Sequence, residues 1–298
     1  MRPLVIRAAM LVALFPTLAL AADPKFDFGK QADAKKVVYK AAAQAGFVLT
    51  RGNAEAISAS GGGSFLRDDG ANRFALDVSG TYVQAGISTA VDDNKDGVIS
   101  ANEIKSETRE TTRMWNVKAR YDRFFTERNS LYINAGVWGN EPAGKVAVTS
   151  GQLGYARLLL KDPTHELVTE IGYDFSYEVY VGDTSSLAIH SARIFLGLTI
   201  NATADTNIGA SVEALFNLND ETTPGGVVGP FADTRLNVKA TLTTKLWKNF
   251  SFRFTAGARY DHTPAPLPAF SKPYAEGFIP LANRLDSVVE AALVLTIL

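Results

Sequence analysis

The dominant feature of the sequence is an alternation of apolar and polar side chains with a period of two, which begins near Tyr39. Between Leu167 and Tyr180, one parity holds Leu, Thr, Ile, Tyr, Phe and Val, whereas Glu, Asp, Gly and Ser predominate in the other. A β-strand sends successive side chains to opposite faces, whereas a helix would scatter both sets around its surface. The pattern therefore predicts an all-β fold.

Repetition of this alternation predicts about twelve strands, joined by connections that are alternately short and long. The predicted strands are 41–51, 55–67, 72–85, 111–125, 130–139, 148–160, 166–180, 187–201, 206–217, 233–247, 250–261 and 285–298. The short turns are 68–71, 126–129, 161–164, 202–205 and 248–249, and the long connections are 86–110, 140–147, 181–186, 218–232 and 262–284. Only the first hairpin, near Gly52, breaks this rule.

The alternating connection lengths favour an antiparallel up-and-down transmembrane β-barrel over a secreted β-sandwich. Outer-membrane barrels have short turns at the periplasmic rim and long loops at the extracellular rim, and aromatic side chains form a girdle at each membrane interface. Period-two alternation alone does not separate the two folds, because a soluble sandwich shows it as well. The candidate girdle residues are Tyr82, Trp115, Trp138 and Tyr260 toward the long loops, and Phe124, Phe125, Trp247 and Phe250 toward the short turns.

The N-terminal segment has the features of a secretory signal peptide. Arg2 and Arg7 precede a short apolar run, and small residues that suit cleavage follow at Ala19 and Ala21. We therefore expect residues 1–21 to be a signal peptide, 22–38 a periplasmic lead-in and 39–298 the barrel. This predicts the outer membrane of a Gram-negative bacterium, with membrane lipid as the surrounding partner.

Composition excludes several other classes of function. The chain has no cysteine, which excludes a disulfide scaffold, a thiolate metal site and a cysteine nucleophile. Its formal net charge of -1 argues against nucleic acid as a partner, because a phosphate-binding surface needs an excess of Lys and Arg. The three histidines, His165, His190 and His262, lack metal-ligand spacing. We therefore predict no catalytic residue and no enzyme activity, although a lipid-acting enzyme assembled from separate strands stays a minor alternative.

Two segments resemble a known family. GFVLTRGNAEAISASGGGSFLR at 46–67 and YDRFFTERNSLYINAGVWGNE at 121–141 are similar to hairpins of the salt-induced outer membrane proteins, a family of unknown function. The resemblance implies an outer-membrane barrel without an established enzyme activity, and it makes the outer-membrane assembly machinery an expected partner. Such barrels usually end on an aromatic residue that this machinery reads, whereas the present sequence ends on Ile297 and Leu298.

The sharpest chemical motif is a twelve-residue EF-hand-type loop at 92–103. It predicts one Ca²⁺ site, because oxygen ligands at positions 1, 3, 5, 7, 9 and 12, with glycine at position 6, form the shell that this hard cation prefers. Gly97 occupies position 6, and the apolar Ile99 occupies position 8. The predicted ligands are Asp92, Asn94, Asp96, Val98 through its carbonyl, Ser100 and Glu103. By strand parity the loop is extracellular, and 101–110 is expected to form a short exiting helix.

The inward parity of the predicted barrel is charged. The predicted inward bases are Lys118, Arg120, Arg157, Arg193, Arg235, Lys239, Lys245, Arg253 and Arg259, and the acids are Asp77, Asp122, Glu170, Asp174, Glu178, Glu213 and Glu290. Two interpretations of this lumen stay open. In the first, paired charges fill a closed lumen, which suits a structural or envelope-adaptation role with the calcium loop. In the second, the lumen is a small diffusion channel for charged solutes. The sequence predicts neither a solute nor an oligomeric state.

Overall fold

The computed structural model describes residues 37–50, 56–90, 104–141, 144–181, 186–223, 226–266 and 281–297. In this part of the chain, twelve antiparallel strands close into a barrel in which neighbours in sequence are neighbours in space. The first and last strands complete the ring, since Ala42 pairs with Thr296 and Ala45 with Leu293. The predicted up-and-down barrel is therefore confirmed.

The barrel strands agree with the alternation in the sequence. They are β1 (Val38–Thr50), β2 (Ala56–Asp68), β3 (Asn72–Ala90), β4 (Ile104–Thr126), β5 (Asn129–Asn140), β6 (Lys145–Lys161), β7 (His165–Tyr180), β8 (Ser186–Asn201), β9 (Thr206–Asn217), β12 (Thr234–Trp247), β13 (Phe250–Asp261) and β14 (Leu285–Thr296). Two short strands, β10 (Glu221–Thr223) and β11 (Gly226–Val228), pair with each other between β9 and β12. This small hairpin lies inside 218–232, which the sequence predicted only as a long connection.

The outward face of the barrel is apolar and the inward face is polar. Leu131 and Ile133 on β5 are 56% and 58% exposed, whereas Tyr132 between them is 3% exposed. Leu153 and Ile171 on the next two strands are exposed in the same way. A closed barrel leaves no unpaired strand edge, and its apolar outer band is suited to lipid. The fold is thus that of an outer-membrane β-barrel.

No helix in the described part of the chain is long and apolar enough to cross a membrane.

The two ends of the barrel differ. At the short-turn rim, β2–β3, β4–β5, β6–β7, β8–β9 and β12–β13 are joined by connections of a few residues. Both described ends of the chain lie at this rim, because Val38 pairs with Asp68 and the amide of Thr296 donates to the carbonyl of Asn249. The opposite end, the long-loop rim, carries the three longest connections, which are β3–β4, β9–β12 and β13–β14. The β5–β6 connection at this rim, predicted as 140–147, is only 141–144.

Three side chains lie on the opposite face from the one predicted. Phe124 is buried and Trp138 lies in the lumen beside Arg259, so neither belongs to an outer aromatic girdle. Arg157, which was expected to point inward, is exposed, and its neighbours Ala156 and Leu158 are buried instead. Each of the three nevertheless follows the parity of its own strand, because Phe124 shares the face of Arg120, Trp138 that of Tyr132 and Arg157 that of Leu153.

The connection between β3 and β4 is shorter than predicted because both strands continue beyond the barrel. Residues 86–90 of β3 pair with 104–108 of β4, and the last pair is Ala90 with Ile104. The prediction of an exiting helix is therefore wrong for residues 104–110, which form strand. Cross-strand pairing with Ile87 and Thr89 overrides the weak helical preference of this segment. The predicted calcium loop at 92–103 lies outside the described residues.

Candidate functional site

A network of buried ion pairs occupies the middle of one lumen wall. This central network consists of Arg120 (β4), Asp122 (β4), Tyr132 (β5), Glu170 (β7), Arg193 (β8) and Glu213 (β9). Arg120 Nη2 lies 2.7 Å from Asp122 Oδ1 and 2.7 Å from Glu170 Oε1. Arg193 Nη1 lies 2.8 Å from Glu170 Oε2, and its Nε lies 2.5 Å from Glu213 Oε1. Glu170 therefore joins two arginines that approach it from opposite sides.

Tyr132 forms the floor of the central network. Its hydroxyl accepts a hydrogen bond from Arg193 Nη1 at 2.7 Å, and the guanidinium carbon of Arg120 lies 4.4 Å from its ring centroid. The tyrosine lies flat over β6 and β7 because both strands have glycine beneath it. A Cβ on Gly154 or on Gly172 would come within 2.7 Å of the tyrosine hydroxyl. The two glycines thus make room for the side chain that separates the two arginines.

An amide level lies next to the central network on the side of the long-loop rim. Asn134 Nδ2 donates to Gln152 Oε1 at 2.8 Å, and Gln152 Nε2 donates to Asp174 Oδ1 at 2.8 Å. Ser176 Oγ donates to the second oxygen of Asp174 at 3.0 Å. Asn134, Gln152 and Asp174 come from the adjacent strands β5, β6 and β7, and Ser176 lies on β7 as well. The chain of hydrogen bonds therefore runs around the wall and not across the lumen.

A third group of charges, the outer cluster, lies at the long-loop rim. It consists of Lys145 (β6), Glu178 (β7), Glu221 (β10), Asp233, Arg235 (β12) and Asp261 (β13). Lys145 Nζ lies 2.8 Å from Glu178 Oε2 and 3.8 Å from Asp261 Oδ2. Arg235 Nε lies 3.7 Å from Asp233 Oδ2. Four acids thus surround two bases.

Two acids of the outer cluster have oxygens without a hydrogen-bond partner. Glu221 is 1% exposed, and neither of its carboxylate oxygens has a partner. Asp233 is 2% exposed, and its Oδ1 has none. Burial, followed by repulsion from Asp233, raises the pKa of Glu221 to about 7. These three carboxylate oxygens thus have no direct hydrogen bond that compensates their charge.

Two features near the long-loop rim narrow the lumen: a contact that crosses it, and an inward turn of the chain. The Trp138 ring on β5 lies 5.2 Å from the guanidinium carbon of Arg259 on β13, the strand opposite, and 5.6 Å from Lys145 Nζ. After β13 the chain also turns inward, since Ala265 is buried against Tyr180, Leu187 and Ile189. The passage is therefore narrowed at this rim by an aromatic–cation contact and by the start of the β13–β14 connection.

The wall opposite the central network is lined by small and neutral side chains. Inward positions on β1 and β2 include Gln44, Gly46, Ser58, Ser60 and Gly62. A Cβ on Gly62 would come within 3.1 Å of Gln44 Nε2, and one on Gly46 within 2.7 Å of Ser60 Oγ. One side of the lumen is thus filled with paired charges, and the other side is kept shallow.

Five of the charged residues that were predicted to point inward belong to the central network. Arg120, Asp122, Glu170, Arg193 and Glu213 come together as described. Tyr132, Glu221 and Asp233 were not predicted as site residues. Tyr132 has the pattern of an ordinary aromatic residue in a strand, and the other two lie in or beside a connection. Gly154 and Gly172 could have indicated space for a large side chain, but only if the β6–β7 register that pairs them were known.

The predicted metal ligands Asp92, Asn94, Asp96, Val98, Ser100 and Glu103 all lie outside the described residues. Within the described ranges, no group of three or more His, Cys, Asp or Glu side chains is arranged to hold a metal ion. His190 and Ser191 lie on opposite faces of β8: Ser191 accepts a hydrogen bond from Arg235, and the His190 ring lies 5.1 Å from that of Phe175.

A family described as "Protein of unknown function, DUF481" matches residues 43–269. The chain belongs to this family. The match covers β2 to β13 and most of β1, so it includes the central network and the outer cluster. The family description states no function, and the narrower resemblance to salt-induced outer membrane proteins stays a prediction. Comparison with curated proteins gives no match.

Several solved outer-membrane proteins are similar to the chain at low sequence identity. The NanC porin is 8% identical over 87% of this chain and 100% of its own, with a TM-score of 0.45. The translocator domain of the autotransporter NalP from Neisseria meningitidis is 14% identical over 87% of each chain, with a TM-score of 0.41. The anion-selective porin from Comamonas acidovorans is 8% identical over 88% of this chain and 99% of its own, with a TM-score of 0.38. Likeness at this level carries no argument about function.

Proposed function

We propose that this protein is a narrow outer-membrane channel for small charged solutes, restricted at its long-loop rim. The observation that carries the proposal is the half-exposed state of inward polar residues on β12. Lys239, Thr241 and Thr243 all point into the lumen, yet each keeps part of its surface accessible to water. Side chains in a filled, closed lumen would be buried as the central network is. A wet space therefore lies beside this wall.

The charges of the lumen favour a passage for ions over one for neutral solutes. On one side the central network presents paired arginines and carboxylates, and on the other side the wall is neutral and shallow. A solute beside β12 meets the partly exposed side chains of Lys239, Arg259 and Glu290, which are fixed charges of both signs, and narrow pores select by charge in this way. Trp138, Arg259 and Lys145 then narrow this path near the long-loop rim.

Single-channel recording in planar lipid bilayers tests the proposal. The purified barrel should give discrete conductance steps, and Trp138→Ala should enlarge them because it removes the ring that reaches Arg259 across the lumen. Trp115→Ala is the matched control: this tryptophan is on the neighbouring strand but is exposed on the outer face, so its loss should leave the step size unchanged. A flat baseline for the wild type and for Trp138→Ala would reject the channel.

A second proposal concerns the calcium loop. The spacing of Asp92, Asn94, Asp96, Val98, Ser100 and Glu103 supports one Ca²⁺ site with a structural or envelope-adaptation role, extracellular if the long-loop rim faces outward. The β3–β4 pairing adds support, because Ala90 opposite Ile104 brings the two ends of segment 91–103 side by side. An extracellular site of this kind would bind with a dissociation constant of about 10⁻⁴–10⁻³ M.

Isothermal titration of the folded barrel with Ca²⁺ tests this second proposal. Asp92→Ala and Glu103→Ala should remove the binding heat, because they delete the first ligand and the bidentate twelfth one. Asp93→Ala is the matched control, since Asp93 falls between ligand positions. Equal heats in Asp93→Ala and Glu103→Ala, or no heat in the wild type, would contradict the site.

A further inference from the structure

The β10–β11 hairpin is held firmly over the long-loop rim. Asn217 at the end of β9 is its hub: the side-chain amide donates to the carbonyls of Asn219 and Gly229, and its Oδ1 accepts from the amide of Asp233 at 2.9 Å. Asn219 then ties the hairpin to β8, donating to the carbonyl of Ala188 and accepting from the amide of His190 at 2.8 Å. The hairpin is therefore placed by side-chain hydrogen bonds and not by chance packing.

This placement buries Glu221 without giving it a partner. The amide and carbonyl groups around Asn217 are satisfied by one another, yet both Glu221 oxygens and Asp233 Oδ1 have no partner. A buried carboxylate without a hydrogen bond or counter-charge is costly, so native structures rarely keep one unless something else binds it. The hairpin thus holds two carboxylates ready for a ligand.

The charge of the surroundings points to the sign of that ligand. The described groups that act electrostatically on Glu221 are Asp233, Arg235, Glu178 and Asp261. Lys145 is engaged with Glu178 at 2.8 Å, and Arg235 donates to Ser191 at 2.8 Å. Four carboxylates face two bases that are already shared, so the outer cluster carries an excess of negative charge, and a cation would neutralise it.

We propose that Glu221 and Asp233 form a binding site for a hydrated divalent cation at the long-loop rim of the lumen. No group of three protein acids in the described chain encloses a metal, so water completes the shell. Mg²⁺ is commonly held in this way by one or two carboxylates, and Ca²⁺ accepts water among its six to eight oxygens. This site differs from the predicted loop at 92–103 in its residues and in its place on the barrel, and it does not depend on ion conduction.

The site is tested by binding of Tb³⁺, a luminescent Ca²⁺ substitute, to the folded full-length chain. The background carries Asp92→Ala and Glu103→Ala, so that the loop at 92–103 does not contribute. Tyr180 donates to Glu178 at 3.1 Å and is placed to sensitise an ion in the outer cluster. We expect Tb³⁺ luminescence that Ca²⁺ or Mg²⁺ displaces, and an affinity that falls by about tenfold or more in Glu221→Gln and in Asp233→Asn.

Asp220→Asn is the matched control, because Asp220 is exposed and directly precedes Glu221. It should bind Tb³⁺ as the background does, and heat-modifiable gel mobility should show that all variants are folded. Absent luminescence together with proton uptake near pH 7 would overturn the proposal in favour of simple protonation of Glu221. Equal affinity in Glu221→Gln, Asp233→Asn and Asp220→Asn would overturn it by placing the ion elsewhere.

Discussion

Asp162 and Asp69 at one rim of the barrel and Glu221 at the other are held in opposite ways. At the short-turn rim, the amides of His165 and Thr164 donate to Asp162 at 2.7 and 2.8 Å, which lowers the pKa of Asp162. Asp69 likewise accepts from the amide of Asn72 at 2.7 Å, and its pKa is lowered. At the long-loop rim, Glu221 is buried with no donor, and its pKa is raised to about 7.

This contrast separates structural carboxylates from those available to a ligand. An Asp that caps its own turn has its hydrogen-bonding capacity used by the backbone and needs no further partner. A buried Glu without a donor keeps both carboxylate oxygens available to bind a ligand. The central network lies between the two extremes, because Glu170 is as buried as Glu221 but is bound by two arginines.

The largest expected effect is the loss of the charge on Glu170. Glu170→Gln leaves Arg120 and Arg193 buried with only one carboxylate each, and breaking a buried pair in this way costs about 3–5 kcal/mol. The free energy of unfolding, measured by urea titration in detergent micelles, should fall accordingly. Glu127→Gln in an exposed turn is the control and should leave it unchanged. A Glu170→Gln barrel as stable as the wild type would remove the distinction between paired and unpaired buried acids.

The same substitution at Glu221 should act in the opposite direction. The raised pKa of Glu221 means that the docked hairpin favours the protonated acid. The stability of the docked hairpin is therefore full below the pKa that Glu221 has in the unfolded chain, and it is lost as the pH rises through about 7. With EDTA present, the protection factors of the β10 and β11 amides, which are corrected for the intrinsic rise of exchange with pH, should be higher at pH 5 than at pH 8. Glu221→Gln should keep these amides protected at pH 8, a gain on the order of 2 kcal/mol.

The control for this titration is Asp220→Asn, which should retain the wild-type dependence on pH. If Glu221→Gln showed that same dependence, another group would be responsible, and the contrast between the rims would rest on hydrogen bonding alone.

The smallest effect is expected at the short-turn rim. Asp162→Ala removes the two hydrogen bonds that backbone amides donate to this side chain at an exposed turn. The substitution should lower the unfolding midpoint slightly at neutral pH. Because the pKa of Asp162 is lowered, its contribution is present above the unfolded pKa and is lost as the pH falls through the folded pKa. The variant and the wild type should therefore converge in acid.

Asp205→Ala is the matched control for Asp162→Ala. Asp205 occupies the β8–β9 turn, where its backbone makes the hydrogen bonds to Thr203 and Lys245. Loss of its side chain should leave the midpoint unchanged at every pH. A larger loss at Asp205 than at Asp162 would show that turn capping does not explain this rim.

Much of the barrel could be predicted from the sequence because each strand has one lipid face and one lumen face. That constraint fixes parity, and it placed Arg120, Glu170 and Arg193 inward. Phe124 and Trp138 were assigned to the outer face as aromatic residues near strand ends, and Arg157 to the lumen as a charged residue, although each follows the parity of its strand.

The candidate site was less predictable because it depends on register and on a folded connection. Tyr132 lies over Gly154 and Gly172 only through the alignment of three strands, which alternation does not give. Glu221 was predicted only as part of the connection 218–232 and Asp233 only as the first residue of a strand, since their burial arises from the hydrogen bonds of Asn217. The extension of β3 and β4 likewise depends on pairing, not on local preference.

That extension has a mechanical consequence. The described pairing of β3 with β2 ends at Ala85 and Ala56, and residues 86–90 continue in a two-stranded ribbon with 104–108 of β4. At about 3.4 Å per residue, the ribbon carries Ala90 and Ile104 roughly 17 Å past the Ala56–Ala85 pair. Residues that flank segment 91–103 thus stand apart from the ring of twelve strands, so a change in that segment need not disturb the pairing that closes the barrel.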